Sequence, residues 1–579
     1  MRDSFRLPPR PTFVSILVML AVSWLSVGIA AADEIDATAQ NGGIDLATVE
    51  NINVNVVNVE VYVTDKKGNR ITGLTKDDFV LTVDDEPVAI TNFYVVEDGS
   101  PQTEQPELLQ PVESEPELPS RQPEVVERPE DQKLHLIVYI DNFNLRPFSR
   151  NRVIRATRQF LRANLRPGDE VMLVSYDRSL KVRHPFTKDP ELIASALYEL
   201  EDITGHRVHA DSERQDMLDF IYNEERLEYY AASGRIRQYA ESIYNDMAFT
   251  LDALRDQVDT LAGLPGRKAV LYVSDGLAMR SGEDLFYAVA DRWKDQSSVL
   301  MDAQRFDMSR RFRSLTHQAN TNRVTFYTID AAGLRTYTYM DASNATPGGG
   351  AQIDSIHFSN MQAPLFYIAQ ETGGFAVTNT NNFLPGLEKM ANDFGTYYSL
   401  GFVSAANESG RYHEIDVELK EDRRDVRLRF RQGFRDRSVG VRMIDNTLAA
   451  LHYGYSKQDL GVELAVGRGQ RQEDGQYLVP FVVKIPLGEL TFLPQEKLHR
   501  ARVTLYLAAK DTDGGLADVQ DVPIPIDIPS ADIERAKSQF YHYQLTLLMR
   551  PGRQMLAITV RDEIGAGVGV TTAGLTVGG

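Results

Sequence analysis

One apolar segment, Leu134–Leu145 (LHLIVYIDNFNL), constrains the fold of this chain most. Its first seven residues are almost all apolar, and Asp141 and several polar, turn-forming residues follow them. A continuous apolar run of this length, followed by a helical pattern, predicts a parallel strand that is buried on both faces. Ala269–Asp275 and Val324–Asp330 have the same form and also end in aspartate. Ligands of open α/β sheets bind beyond the carboxyl ends of the strands, so these aspartates predict a site at one sheet edge.

Composition limits the classes of function. A length of 579 residues predicts two to four domains, and the net charge of -20 argues against nucleic acid as a partner. The chain has no cysteine, which excludes disulfides, thiolate metal sites and a cysteine nucleophile. The sequence also lacks a G-x-S-x-G elbow, an H-E-x-x-H motif and a phosphate-binding glycine loop. We therefore expect a protein that is not an enzyme and has no catalytic residues.

The N-terminus predicts export. Arg2, Arg6 and Arg10 precede the apolar run Phe13–Ala32, which ends in three small residues. This pattern is typical of a secretory signal peptide over residues 1–32, and it predicts a secreted, periplasmic or cell-envelope protein. The run is also long enough, at about 20 residues, to span a bilayer, so an uncleaved anchor stays open as the only predicted membrane contact.

Changes of pattern predict the domain boundaries. Residues 100–132 contain seven prolines, eight glutamates and no aromatic residue, which is typical of an extended linker that keeps its flanking domains apart. Alternating apolar residues predict strands before this linker and again near the C-terminus. The predicted parts are a disordered lead-in at 33–47, a small Ig-like β domain at 48–98, the linker at 99–132, an α/β domain at 133–395 with a helical hairpin insertion at 207–262, its β extension at 396–437, and a C-terminal β-sandwich at 438–579.

The middle of the chain resembles the von Willebrand factor A domain, and more narrowly the VWFA-related domain proteins of bacterial envelopes. The residues that carry the resemblance are LHLIVYIDNFN (134–144), PGRKAVLYVSDG (265–276), VTFYTIDAAGLR (324–335), YYSLGF (397–402) and the N-terminal segment 63–90. The resemblance covers about 48–437. It implies a doubly wound, mostly parallel sheet, here flanked by a small β domain and a C-terminal β-sandwich.

The resemblance also implies a metal-ion-dependent adhesion site. Family members commonly bind a divalent cation through an Asp-x-Ser-x-Ser loop, a distant threonine and a further aspartate. Asp141, Thr204 and Asp275 match the aspartates and the threonine, which implies Mg²⁺, or else Mn²⁺ or Ca²⁺. Phe143 and Leu145 stand where the serines would be, and neither can ligate a metal. The implied site is therefore degenerate, and the alternative is that both aspartates only cap helix N-termini.

Three hypotheses about function follow from these residues. The first is an exported interaction or adhesion module that binds another envelope or extracellular protein, or a surface polymer. Its predicted contacts are the hairpin and the edge residues Asn142, Phe143, Asn144, Gly205 and Gly276. The second is a metal-free structural or assembly scaffold of the cell envelope. The third, of another class, is a hydrolase with an unrecognised site.

Overall fold

A computed structural model describes residues 56–97, 100–102, 133–203, 205–335, 350–404, 410–421, 425–512 and 514–578. These residues divide into two compact units, one within Asn55–Ser438 and one within Val439–Gly579. The predicted signal peptide, the lead-in, Thr204 and nearly all of the linker lie outside the described residues.

The first unit contains both strands and helices. Its strands are β1 (Val56–Asp65), β2 (Phe79–Val83), β3 (Glu86–Pro87), β4 (Asn92–Glu97), β5 (Ser100–Gln102), β6 (Leu134–Asp141), β7 (Glu170–Tyr176), β8 (Leu180–Thr187), β9 (Arg267–Ser274), β10 (Val324–Asp330), β11 (Ala376–Val377), β12 (Tyr397–Val403), β13 (Tyr412–Leu419), β14 (Val426–Arg429) and β15 (Gly433–Arg435). Its helices are α1 (Pro147–Asn164), α2 (Pro190–Glu199), α3 (Arg207–Asn223), α4 (Tyr229–Thr260), α5 (Glu283–Arg292), α6 (Val299–Ala303), α7 (Ser309–Thr321), α8 (Gly350–Glu371) and α9 (Leu384–Gly395).

A mostly parallel sheet forms the centre of this unit. Its strand order is β11-β10-β9-β6-β7-β8, and only β8 runs antiparallel to its neighbour. Every residue of β6 and β9 is buried, as the apolar runs predicted. Because Asp330 is level with Ser274, and Ile140 with Val273, the strand-end residues Asp141, Asp275 and Asp330 meet at one edge.

Helices cover both faces of this sheet. Residues of α1, α2 and α9 share a core with Tyr327 and Ile329 of β10. The intervening residue Thr328 faces the other side, where its hydroxyl donates to the carbonyl oxygen of Leu365 in α8. The predicted helical hairpin is α3 and α4, which pack with α5 and α6 around a core of their own. This is the mixed α/β architecture that the sequence predicted for the middle of the chain.

The N-terminal strands do not form a separate domain. Strand β1 pairs with β12 and β14, β4 pairs with β12, and β2 pairs with β13. We call the resulting pair of sheets, of order β14-β1-β12-β4-β5 and β15-β13-β2-β3, the N-terminal sandwich. The expectation of a small β domain held at a distance by the linker is therefore wrong. The strands of 56–102 bury their apolar face only together with the strands that follow the α/β domain.

The second unit begins with a helix that the all-β prediction missed. Its elements are α10 (Val439–Tyr453), β16 (Lys457–Gln458), β17 (Glu463–Val466), β18 (Gln470–Arg471), β19 (Tyr477–Pro486), β20 (Leu493–Gln495), β21 (Leu498–Asp511), β22 (Gln520–Pro529), α11 (Ile533–Ala536), β23 (Phe540–Met549), β24 (Gly552–Asp562) and β25 (Val568–Val577). Met443, Thr447, Ala450 and Leu451 are buried at helical spacing, so the signal for α10 was present in the sequence. The strands form two sheets around one apolar core. In the described ranges, no helix is long and apolar enough to cross a membrane.

Candidate functional site

Asp141 ends β6 and caps the 3-10 turn Asn142–Asn144. Its Oδ1 accepts a hydrogen bond from the backbone N–H of Asn144 at 3.2 Å, and its Oδ2 accepts one from the Asn144 side chain at 2.9 Å. The Tyr272 hydroxyl also donates to Oδ2. Burial raises the pKa of Asp141 to about 6 despite these donors. Both oxygens of this carboxylate are therefore engaged in holding the local turn.

Asp275 follows β9 and faces the start of α1. Its Oδ2 accepts a hydrogen bond from the backbone N–H of Arg146 at 3.0 Å. Its Oδ1 is buried and has no hydrogen-bond partner among the described residues. Burial raises the pKa of Asp275 to about 6. This carboxylate therefore caps α1 with one oxygen and leaves the other unsatisfied.

Asp330, at the end of β10, is neutralised by an arginine. The Nη2 of Arg335 lies 2.9 Å from Asp330 Oδ2, and the Gln362 side chain donates to the same oxygen at 2.6 Å. Arg335 Nη2 also donates to the backbone oxygen of Asp275 at 2.8 Å. A guanidinium group therefore supplies positive charge at the edge where the three strands end.

These residues do not fit a divalent metal site. Leu145 is fully buried in the core below α1, and Phe143 packs against His206, so neither approaches the two carboxylates as a ligand. Asn142 is not free either, because its Oδ1 accepts a hydrogen bond from Arg150. Among the described residues, no group of three or more histidines and carboxylates could hold a metal ion. Asp141 and Asp275 lie at the predicted edge, but their surroundings match the helix-capping alternative.

The two glycines of the predicted contact set permit close packing. Gly276 has φ +115°, and a Cβ built on it would lie 2.7 Å from the backbone oxygen of Met361 in α8. A Cβ on Gly205 would collide with the backbone oxygen of Leu145. Both positions therefore require glycine because the backbone of another segment passes close by.

A cleft of about 200 Å³ opens beside the strand-end edge, between the Asn142–Asn144 turn and helices α3, α4 and α8. We call it the upper cleft. Its lining includes Phe143, Arg178, His206, His209, Arg214, Ser242, Asp284 and His357. Phe143 and Asn144 of the predicted contact set line this cleft, and so do residues of the predicted hairpin. Asp141 and Asp275 do not line it.

The Phe143 ring contacts two basic side chains of the upper cleft, and we call these three residues the mouth of the cleft. The Arg178 guanidinium lies 5.1 Å from the centre of the Phe143 ring, and the His206 ring lies 5.6 Å from it. His206 Nε2 is in turn 3.0 Å from a carboxylate oxygen of Asp177. Arg178 and His206 are half exposed or more, so this group can reach a partner.

A buried ion-pair network forms the floor of the upper cleft. Arg214 Nε lies 2.6 Å from Asp284 Oδ2, and Arg214 Nη2 lies 3.2 Å from Asp354 Oδ1. His357 Nδ1 lies 3.5 Å from the same Asp284 oxygen. Burial raises the pKa of Asp284, but the charges of Arg214 and His357 outweigh it and hold that pKa below its ordinary value. The network ties α3, α5 and α8 together and gives the cleft a rigid base.

Sequence reasoning missed most of the upper cleft. His206 stands at the N-cap position of α3 without a side-chain cap, and His209 lies in the first turn of that helix, where its Nε2 is 3.1 Å from a Glu213 carboxylate oxygen. The four-residue spacing of His209 and Glu213 was the only local signal. Arg178 comes from the turn after β7 and Asp284 from α5, and nothing in their own segments indicates that they share a cleft.

Of the comparisons with known proteins, the one with solved structures found matches. No family model matches the chain, and no curated protein matches it. Its structural neighbours, however, include several von Willebrand factor A-type proteins.

Three neighbours show the extent of the likeness. An aerotolerance-related membrane protein from Bacteroides fragilis is 11% identical over 45% of this chain and 98% of its own, with a TM-score of 0.22. The von Willebrand factor domain of a type V pilus tip protein from Porphyromonas gingivalis is 13% identical over 45% of this chain and 94% of its own, with a TM-score of 0.21. A manganese-loaded TRAP protein from Plasmodium vivax is 9% identical over 52% of this chain and 93% of its own, also at 0.21. Likenesses this weak say nothing about function.

Proposed function

We propose that this protein is an exported, non-enzymatic interaction module that binds another envelope or extracellular protein at the upper cleft without a metal ion. The observation that carries this proposal is the contact of the Phe143 ring with Arg178 and His206 at the mouth of the cleft. Aromatic and arginine side chains are the residue types that most often dominate protein–protein binding energy. In the family that the sequence resembles, a metal-ligating serine would stand where Phe143 stands.

Two of the three strand-end carboxylates, those of Asp141 and Asp330, are already engaged, which supports contact through the cleft instead. Asp141 accepts hydrogen bonds on both oxygens, and Asp330 forms an ion pair with Arg335. A partner's carboxylate would therefore meet no metal at this edge. The cleft lining offers it instead the exposed side chains of Arg178 and His206, which lie 4.0 Å from Asp246 and 3.0 Å from Asp177 and would exchange or share these partners.

The chemistry of the cleft supports a binding function over catalysis. Its histidines pair with carboxylates: His206 with Asp177, His209 with Glu213 and His357 with Asp284. Ser242 is the serine of the described cleft lining, and it makes no hydrogen bond to any of these histidines. A serine nucleophile needs a base within hydrogen-bond reach, so the hydrolase hypothesis has no support here.

A selection from a random peptide library tests the proposal. The full chain serves as bait for peptides displayed on phage, and enriched peptides are then titrated by fluorescence anisotropy. We expect peptides that bind the wild type and lose about tenfold or more in affinity with Phe143→Ala, the usual effect of removing an interface anchor. Phe148→Ala is the matched control, because Phe148 is 73% exposed at the start of α1 and does not line the cleft.

Two results would contradict this function. One is the absence of any peptide that discriminates the wild type from Phe143→Ala, provided that both unfold at the same temperature. The other is an equal loss with Phe148→Ala, which would move the binding surface to the start of α1. After the first of these results, the scaffold hypothesis from the sequence would be the better description.

A further inference from the structure

Strand β23 is an edge strand of the second unit in the part of the chain that the structure describes. It pairs with β19 over ten residues, from Phe540 opposite Pro486 to Met549 opposite Tyr477. Among the described residues, no strand pairs with its other side. Edge strands with free N–H and C=O groups are templates for pairing with another chain, and proteins usually block them.

The other edges of the second unit are short or blocked. Strand β22 carries three prolines, at Pro523, Pro525 and Pro529, and proline cannot donate to a new neighbour. Strands β16 and β18 have two residues each, β20 has three and β17 has four. Strand β23 has ten residues (FYHYQLTLLM) without proline, glycine, lysine, arginine or an acidic residue, although 25% of the chain is charged. An edge that is long, regular and uncharged therefore stands out among the edge strands of the second unit.

The hydrogen bonds of β19 show which groups of β23 face outward. Pro480 accepts a hydrogen bond from Gly467 on the β17 side, and Leu487 donates to Gln539 on the β23 side. Backbone groups alternate in direction along an antiparallel strand, so the odd-numbered residues of β19 bond to the odd-numbered residues of β23. The even-numbered residues of β23 therefore direct their N–H and C=O groups away from β19. They are Phe540, His542, Gln544, Thr546 and Leu548.

The side chains follow the same alternation. Leu545, Leu547 and Met549 are buried in the sandwich core, whereas Phe540, His542 and Gln544 are exposed. The outward groups therefore lie next to an accessible face, and Phe540 keeps 43% of its surface exposed.

We propose that β23 is a self-association surface, at which a second copy of this chain adds its own β23 in antiparallel pairing. A two-fold axis at Gln544 places Phe540 opposite Leu548 of the second copy and His542 opposite its Thr546. All five outward residues then pair, which forms about ten main-chain hydrogen bonds. The pairing is isologous and closes on itself, so it yields a dimer with one continuous sheet.

The residue pattern favours a second copy over an unrelated strand. Because β23 carries no lysine, arginine or acidic residue, two copies lie side by side without like charges opposite each other. The same register sets an aromatic ring against an aliphatic side chain at both ends of the pairing. Such cross-strand pairs stabilise antiparallel sheets.

A pair of substitutions at one residue tests the proposal by sedimentation of the full chain. Gln544→Pro removes the outward N–H at the axis, whereas Gln544→Ala keeps it and changes only the side chain. We expect the wild type and Gln544→Ala to sediment as dimers, and Gln544→Pro to sediment as a monomer with an unchanged circular dichroism spectrum. A monomeric wild type at every concentration overturns the proposal. A dimer that survives Gln544→Pro overturns it as well, because the interface is then elsewhere.

A cysteine variant tests the register and decides the case if Gln544→Pro fails to fold. The natural chain has no cysteine, so Gln544→Cys introduces a single thiol. In the proposed register the two Cα atoms face each other at about 5.5 Å, which suits a disulfide. We expect rapid oxidation to a covalent dimer, whereas Asp521→Cys on β22 stays monomeric on reducing-agent-free gels. Equal cross-linking of the two variants would show random collision and would overturn the register.

Discussion

Glu60 and Arg323 join the N-terminal sandwich to the α/β domain through a largely buried ion pair, with Glu60 Oε1 2.6 Å from Arg323 Nη2. Beside it, Arg267 Nη2 donates to the Tyr62 hydroxyl at 2.7 Å. Glu60 and Tyr62 both lie on β1, so this strand contacts the amino-terminal ends of β9 and β10 as well as the strands of its own sandwich. The two parts of the first unit are therefore coupled in stability.

We predict that Glu60→Gln lowers the free energy of unfolding by about 3 kcal/mol, because it leaves the Arg323 charge without its partner. Chemical denaturation of the full chain measures this loss. The exposed residue Glu86 of the same sandwich provides the control, since Glu86→Gln removes equal charge without breaking a buried pair. Similar losses in the two variants would mean that net charge, rather than the pair, sets the stability.

The same carboxylate predicts a loss of stability in acid. Burial raises the pKa of Glu60, but Arg323 and Arg431 outweigh it and lower that pKa from 4.5 to about 2. A group whose pKa is lower when folded stabilises the fold above its unfolded pKa and loses this effect as the pH falls. We expect the advantage of the wild type over Glu60→Gln to be full at pH 6 and to shrink between pH 4.5 and 2. A constant difference across that range would contradict the pairing.

The raised pKa of Asp275 predicts that its effect on stability depends on pH in the opposite direction. Burial raises its pKa from 3.8 to about 6, so the folded state binds the proton more tightly than the unfolded state and gains stability as the pH falls from 6 towards 4. Asp275→Asn keeps the acceptor for Arg146 and removes the buried charge. We expect it to stabilise the chain by about 2 kcal/mol at pH 8, a gain that vanishes near pH 4. A variant that is less stable at pH 8 would mean that the carboxylate is needed for something other than capping.

Calorimetric titration of Mn²⁺ and Mg²⁺ into the full chain separates the two interpretations of the strand-end aspartates. Because Tyr272 and Asn144 occupy both oxygens of Asp141, we expect no saturable binding up to the low millimolar range, with or without Asp275→Asn. Saturable binding that Asp141→Ala abolishes, in a variant that keeps its fold, would instead establish a metal-dependent adhesion site.

We predict that the loss of Arg214 lowers the free energy of unfolding and does not act through binding. Arg214→Met removes the guanidinium group that Asp284 and Asp354 share, and we expect a loss of about 4 kcal/mol. Adding Asp284→Asn to the same chain removes one of the stranded charges and should recover part of the loss. A double variant that is no more stable than Arg214→Met would show that the network does not act through charge pairing.

Local patterns predicted the elements of the α/β domain closely. Strands β6, β9 and β10 and the hairpin helices α3 and α4 were read from apolar runs and from helical spacing, which depend on neighbouring residues alone. The partners of β1 were not predicted, because Val57 lies opposite Phe402, a residue far along the chain with no local trace of that pairing. The signal peptide, Thr204 and nearly all of the linker lie outside the described residues, so the roles expected for the signal peptide and Thr204 stay predictions.

The sequence by itself determined which residues end the buried strands, since a run of apolar residues that stops at an aspartate is a local signal of a buried strand and its end. Only the tertiary structure decided which groups surround those aspartates. Whether Asp141 binds a metal or caps a turn depends on where Tyr272, Asn144 and Arg335 lie in space. The upper cleft likewise joins residues of several elements, because a cleft is defined by the packing of helices and not by the order of the chain.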